Sequence, residues 1–405
     1  MWELIQANKR KSIVLIFSMG LVLVLLGFVM GSAYSPDGGG IVGVFIALVL
    51  WGILYLVSYT SGSKILLAVS GAKEVTKEIH PQLYNVVEEM KIASGHPFMP
   101  KVYIMDSAAP NAFATGIKPD NTAIAVTAGL LGKLNRDELQ GVIAHEMSHI
   151  VNRDVLFMTV SGIMLGVIIL ISEVFIYSLW FGGSRGRYSK SSSSGGGQAQ
   201  MIFMVIAIVF AILAPIAARL LYFAISRKRE YLADASAVRF TRYPEGLASA
   251  LEKISQSTID LKRANKVTAP MYITNPLKKK GRKLNDLTST HPPISERIRI
   301  LRSIAKSADF NAYQNAFNKV KGKETNIIPQ AELKDSEPIS IRGVTGLPLA
   351  GLTKKQKQRN VGNLIMKLND YSFINCPCGV KIKIPPDYKR KVVSCPRCRR
   401  EHKLK

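Results

Sequence analysis

Cysteine is scarce and confined: four residues in 405, all within the last thirty. A small secreted fold held throughout by disulfides is thereby excluded. Acidic residues are also few, with 28 Asp and Glu against 54 Lys and Arg, for a formal net charge of +26. An excess of that size fits nucleic-acid binding, or a membrane protein with large cytoplasmic parts where Lys and Arg accumulate. Histidine occurs only six times. Charge of either sign is nearly missing from four long apolar stretches, which explains how a chain with 20% charged residues reaches a mean hydropathy of +0.14.

Residues 13–31 (IVLIFSMGLVLVLLGFVMG) and 41–59 (IVGVFIALVLWGILYLVSY) are uncharged and long enough to span a bilayer. A third run covers 155–181 with Glu173 its only charge, and a fourth covers 201–225 with Pro215 and Arg219 inside it. No role is assigned to Glu173 or Arg219. The first run is too long for a secretory leader and lacks a small-residue cleavage site, so it reads as a retained anchor. NKRKS precedes the first run and SRKRE follows the fourth, which places both termini in the cytoplasm. GGSRGRYSKSSSSGGGQAQ, between the third and fourth runs, reads as a polar linker on the other side.

Two of the six histidines lie in GVIAHEMSHIVNRD, residues 141–154. His145 and His149 are four apart, so on a helix their imidazoles share one face. Zinc takes nitrogen ligands at about 2.0–2.1 Å, which such a pair can supply. Glu146 lies about 100° round the helix, where a carboxylate can serve as a base. The competing reading is a buried helix with two satisfied histidines.

A third candidate ligand favours zinc, against the alternative of a solvated charge at a helix end. Directly after the fourth run, SRKREYLADASAVRF offers Glu230 and Asp234, again four apart on one helical face. Glu230 sits just beyond the membrane boundary, and His149 lies roughly 9 Å along a helix before the third run begins. Both helices thus bring candidate ligands to one side of the membrane at similar depth. Elsewhere, 73–95 has helical spacing, 101–107 and 122–131 read as strands, and NAFATGIKPDN reads as a connection between them. From Asp137 a helical pattern runs through both histidines into the third span, and 226–256 continues helically from the fourth. His80 and His96 have no partner pattern and read as ordinary surface or core residues.

NAFATG at 111–116, HEMSH at 145–149 followed by IVNRD, SRKREYLAD at 226–234 and THPPISERI at 290–298 occur in the order and spacing of one family. Over about residues 1–305 the chain resembles the HtpX-type integral-membrane zinc metallopeptidases, relatives of the CAAX prenyl proteases. The resemblance implies a mainly α membrane protein: four transmembrane helices and a thermolysin-like α+β peptidase domain with a strand edge along its cleft. It implies His145, His149 and Glu230 as ligands of a catalytic Zn2+ and Glu146 as the acid/base. Asp234 would orient a ligand histidine, and Asn111 would bind substrate backbone, the strand near 122–127 offering its edge to an extended peptide. His291 is the family's candidate oxyanion donor; bracing the turn before the helix near Ser295 is the equal alternative.

The tail lies outside that resemblance. Cys376 and Cys378 form one close pair, Cys395 and Cys398 another, and four thiolates so arranged match a closed structural zinc site. A small C-terminal zinc ribbon is expected, with a redox pair as the alternative and His402 outside the site. Its basic segments are compatible with nucleic acid, anionic lipid or protein partners. The expected organisation is two transmembrane helices in 1–60, a peptidase domain in 61–324 interrupted by spans at about 155–181 and 201–225, a linker in 325–360 and the ribbon in 361–405. The expected function is a membrane-embedded zinc endopeptidase acting at the cytoplasmic face of the cell (inner) membrane on membrane or misfolded proteins. A CAAX-type processing protease, or a non-catalytic adaptor working through its ribbon, are the rivals.

Overall fold

In the computed structural model the described residues are 2–35, 37–181, 196–261, 271–274, 291–304, 307–334, 336–343, 353–388, 390 and 392–403. Most of the polar linker of 182–200 lies outside them. Two long helices open the chain, α1 (Trp2–Tyr34) and α2 (Gly39–Ser70). They cross closely enough that a Cβ on Gly27 would lie 2.6 Å from the Gly43 carbonyl oxygen. After β1 (Ala72–Glu74) comes α3 (Pro81–Ser94), whose first turn is capped by His80: its Nδ1 accepts the Leu83 N–H at 3.1 Å. His80 is therefore a cap, and His96 is buried against the Pro119 carbonyl oxygen at 3.2 Å.

The sheet follows with β2 (Lys101–Met105), β3 (Ala112–Thr115) and β4 (Ala123–Thr127), then α4 (Ala128–Lys133). Its order is β1-β2-β4-β3, with β2 and β4 parallel and both outer pairings antiparallel. Three expectations change here. NAFAT, read as part of a connection, supplies strand β3, because its small residues pack fully buried against β4. The apolar stretch 122–131 splits into a strand and a helix at Thr127, whose hydroxyl caps Leu130. And β4 has no free edge to offer a peptide, being paired on both sides; β3 is the outer strand.

Helix α5 (Arg136–Val151) opens on a reciprocal capping box between Asn135 and Glu138 and is buried from Asp137 through Ile150. It does not run on into the third span as expected. Asn152 and Arg153 break it, Arg153 with φ of 60°, and α6 (Asp154–Phe181) starts afresh. Likewise α7 (Gly196–Thr241), which passes through Pro215 unbroken, stops short of 256: Arg242 has φ of 53° and Pro244 opens α8 (Pro244–Ser255). Among the described residues four stretches are long and apolar enough to cross a bilayer, Ser12–Tyr34, Gly39–Ser70, Met158–Tyr177 and Met201–Leu221. Phe17, Phe45, Leu170, Ile202 and Leu213 point outward from them, an apolar belt that lipid covers.

The C-terminal part comprises α9 (Ile294–Arg302), α10 (Phe310–Lys321), α11 (Gln330–Lys334) and α12 (Lys354–Leu368), then β5 (Ser372–Asn375), β6 (Lys381–Ile384), β7 (Val392–Ser394) and β8 (Glu401–Lys403). The stretch 325–360, expected as a linker, is packed over much of its described length. Gln314 accepts the N–H groups of Ile327 and Ile328, and Arg342 reaches Asp137 at 3.1 Å. Helix α12 starts inside that stretch and buries Leu368 in the peptidase core, while Lys73 donates to the Leu368 carbonyl. Polar composition hid this because the contacts are made by a few residues spaced along an otherwise charged chain. The ribbon begins at β5 rather than at 361.

Candidate active site and metal centre

Helices α5 and α7 meet below the membrane spans. His145 and His149 point from α5 and Glu230 from α7, all three almost completely buried. The two Nε2 atoms are 3.3 Å apart, and each lies 3.6 Å from a Glu230 carboxylate oxygen. Four ligands at about 2.0–2.1 Å around a tetrahedral centre stand about 3.4 Å from one another. The three observed separations are close to that spacing, the two imidazoles facing different oxygens of the one carboxylate. Among the described residues Glu230 Oε2 accepts no hydrogen bond in this buried position, although an Arg297 guanidinium nitrogen lies 3.4 Å away. Two imidazole nitrogens facing each other beside such an oxygen are costly without a cation between them. The donor set fits zinc on these grounds.

Each histidine is held from behind. His145 Nδ1 is 3.0 Å from Asp234 Oδ1, and Arg297 grips Asp234 with two bonds of 2.7 and 2.8 Å. His149 Nδ1 is 3.2 Å from Asp154 Oδ2. Carboxylates at both Nδ1 positions select the tautomer that leaves Nε2 free for a metal. Burial opposes protonation of His145, but the Asp234 and Glu230 carboxylates outweigh it and raise its pKa to about 9. Burial also opposes the charge on Glu230, yet the imidazoles of His291, His145 and His149 hold its pKa well below the carboxylate range. Arg297 offsets burial at Asp234 in the same direction.

Glu146 lies beside the triad. It is buried, Ala114 of β3 donates its backbone N–H to it, and among the described residues one carboxylate oxygen is without a hydrogen-bond partner. Burial raises its pKa above the usual value, as suits a group that must gain and lose a proton. His291 is brought in just before α9, its Nε2 3.7 Å from Glu230. Asn111 is near but already engaged: its carboxamide donates to the Thr274 carbonyl at 3.0 Å and accepts the Ala112 N–H. The Ile273 N–H in turn bonds the Ala112 carbonyl, so the chain's own residues 273–274 lie on the outer side of β3 at this point. Asp154, Arg229 and Arg297 were not singled out from the sequence. All three stood inside recognised motifs, but helical periodicity does not reveal which buried charge faces which histidine.

A second group of ligand atoms lies in the ribbon. Cys376, Cys378, Cys395 and Cys398 place their sulfurs within 4.8 Å of one another. Cys376 and Cys398 are 3.4 Å apart and Cys378 and Cys395 3.5 Å, far beyond the ~2.05 Å of a disulfide, and all four cysteines are free. Each pair sits in the turn of its own hairpin, β5–β6 and β7–β8. Gly379 and Arg399 directly follow the second cysteine of each pair with φ of 84° and 58°. His402 is on β8, outside the cluster.

Two imidazoles four apart on one helix, a carboxylate from another and a buried glutamate beside the first histidine form a donor set of the His-Glu-x-x-His metallopeptidase pattern that could hold a metal ion. Residues 77–305 match the model of peptidase family M48, and the chain belongs to that family. It is 46% identical over 305 residues to the protease HtpX homolog of Dictyoglomus turgidum, covering 75% of this chain and 95% of that one. It is 41% identical over 307 residues to the protease HtpX homolog of Streptococcus gordonii, covering 75% and 100%. Among solved structures, S. mikatae Ste24p aligns over 74% of this chain and 67% of its own, at 21% identity and a TM-score of 0.40. The protein is an integral-membrane zinc metallopeptidase acting on protein substrates, and the adaptor reading falls. The family match ends at residue 305, before the ribbon.

Proposed function

We propose that His145, His149 and Glu230 hold the catalytic zinc and that Glu146 is the general base and acid of an endopeptidase acting at the cytoplasmic membrane face. The observation that carries this is the convergence of two Nε2 atoms 3.3 Å apart on the Glu230 carboxylate, each 3.6 Å from one of its two oxygens, with Glu146 adjacent. When bound there, zinc supplies Lewis-acid polarisation of the scissile carbonyl and makes water acidic near neutral pH. Glu146 takes a proton from the attacking water and delivers it to the leaving amine. Asp234 and Arg297 hold His145 in register while charge develops. His291, beside Glu230, donates to the tetrahedral oxyanion. Extended segments of membrane proteins or misfolded chains are the substrates.

The test is metal removal. Purified full-length protein should cleave an unfolded casein, lose at least about a hundredfold in rate on treatment with a zinc chelator, and recover on adding zinc. Cleavage that persists at full rate once the zinc has been removed overturns the reading.

Sidedness rests on the basic flanks and on geometry. Ser12 at the start of the first span accepts a 3.0 Å hydrogen bond from Arg229 beyond the end of the fourth, which supports one side for the N-terminus and the site. A reporter fused after residue 120 or 330 should be cytoplasmic and one after 190 external. The opposite pattern inverts the orientation.

The four cysteines hold a second, structural zinc. Four thiolates leave no open position, and the ribbon's core is only a few residues such as Ile382 and Ile384, so metal supplies much of its stability. Because α12 packs on the peptidase domain, the informative deletion removes 371–405 and spares α12. It should lower bound zinc from two per chain to one and leave casein cleavage within about twofold of wild type, since the sites share no ligand. Loss of generic cleavage in a folded protein would make the ribbon part of the catalytic unit. Its basic surface is suited to selecting native substrates, nucleic acid being a weaker fit.

A further inference from the structure

A chain of buried charged and polar side chains runs behind His149. Asp154 opens α6 with its side chain completely buried. One carboxylate oxygen, Oδ2, is 3.2 Å from His149 Nδ1, and the other, Oδ1, is 3.5 Å from an Arg229 guanidinium nitrogen. Arg229 is 4% exposed and donates from its other terminal nitrogen to the Ser12 hydroxyl at 3.0 Å; Ser12 is 3% exposed. His149, Asp154, Arg229 and Ser12 come from α5, α6, α7 and α1. Burying a carboxylate and a guanidinium is expensive unless each is paired. Their survival here needs a reason beyond stability.

We infer that Asp154 and Arg229 are positioning residues that fix the orientation of His149 and couple the metal centre to the first membrane-spanning helix; the inference rests on His149 being a zinc ligand. Asp154 accepts the Nδ1–H of His149, which turns Nε2 and its lone pair towards His145 and Glu230. The break at Asn152 and Arg153 makes this possible. In a straight helix, residue 154 would lie five positions on, about 140° away from His149. The left-handed Arg153 instead reverses the chain and presents Asp154 at the first turn of α6, where a carboxylate also suits the helix N-terminus. Arg229 supplies the counter-charge, and Glu230, the next residue of α7, carries the third ligand. One helix end therefore places both a ligand and the support of another ligand.

The arrangement parallels that around His145, where Asp234 and Arg297 form the corresponding pair. The difference is where each leads. Arg297 belongs to α9 of the peptidase domain. Arg229 ends on Ser12, at the first residue of the span Ser12–Tyr34. A shift of that span against the fourth moves Arg229, then Asp154, then the His149 ring. Metal affinity thereby becomes sensitive to helix packing in the bilayer.

The test measures affinity rather than turnover. Full-length protein in detergent is titrated against a competing zinc chelator, and the catalytic site is followed by the d–d absorption of substituted Co2+, which differs from that of a four-thiolate site. Asp154→Ala should weaken the catalytic metal about 10–100-fold and change the Co2+ spectrum, as removal of an outer partner does. Asp154→Asn keeps the shape and an acceptor for Nδ1–H and should recover part of that loss; it also decides the matter if the alanine variant does not fold. Ser12→Ala should shift affinity in the same direction by less, without altering the ribbon zinc. His149→Ala separates the two levels. If it keeps the catalytic metal, the ligand assignment itself fails. If it loses the metal while Asp154→Ala and Asp154→Asn bind with wild-type affinity, the positioning role alone is overturned.

Discussion

Glu146→Gln should abolish proteolysis while leaving zinc bound. General acid and base catalysis contributes about 10²- to 10⁴-fold, so the rate of casein cleavage should fall by at least a hundredfold, or about 3–5 kcal/mol of transition-state stabilisation. Zinc per chain should stay at the wild-type value, because Glu146 stands beside the triad of His145, His149 and Glu230 and outside it. Glutamine matches glutamate in shape. Neutralising a fully buried carboxylate whose pKa burial already raises should leave the melting temperature unchanged or higher. Rates and metal content measured on one preparation check all three statements. Cleavage near the wild-type rate would sink the assignment.

Glu230→Ala should lose the metal instead. Three protein ligands become two, and the loss should exceed the about 10–100-fold expected for an outer partner such as Asp154. The substitution also removes the carboxylate that lies 3.4 Å from Arg297 and 3.7 Å from His291. Three imidazoles and a guanidinium would then be left without that carboxylate, so the metal-free variant should melt lower than Glu146→Gln. Titration with zinc, read with the ribbon site as internal reference, gives the affinity. Full occupancy of the catalytic site in Glu230→Ala would remove Glu230 from the ligand set.

These two variants separate roles that lie only one helix apart. Glu146 and Glu230 are both buried glutamates within reach of the same histidines, yet their pKa values move in opposite directions. Glu230 is ringed by His291, His145 and His149. At Glu146 burial, helped by the neighbouring Glu230 charge, outweighs the pull of His145, His149 and the Ala114 N–H from β3. A carboxylate kept ionised suits a cation; one raised by burial suits proton transfer.

The four spans, the two histidines, Glu230, Asp234 and the paired cysteines were legible in the sequence. Each depends on a local regularity: a run of uncharged residues, a spacing of four on a helix, two thiols within one turn. Such patterns are carried by neighbours along the chain, and no long-range contact is needed to see them. What the sequence did not disclose depends on contacts between distant segments. The strand at Ala112–Thr115 exists because β4 is there to pair with it, and α12 counts as part of the peptidase unit because Leu368 finds its core. The turn at Arg153 breaks what periodicity read as one helix, and its reward is the Asp154 contact with His149. Arg297 and Arg229 looked like ordinary basic residues in a chain with 54 of them. Only the folded arrangement puts each beside a buried aspartate, since a buried charge can persist only where tertiary structure brings its partner.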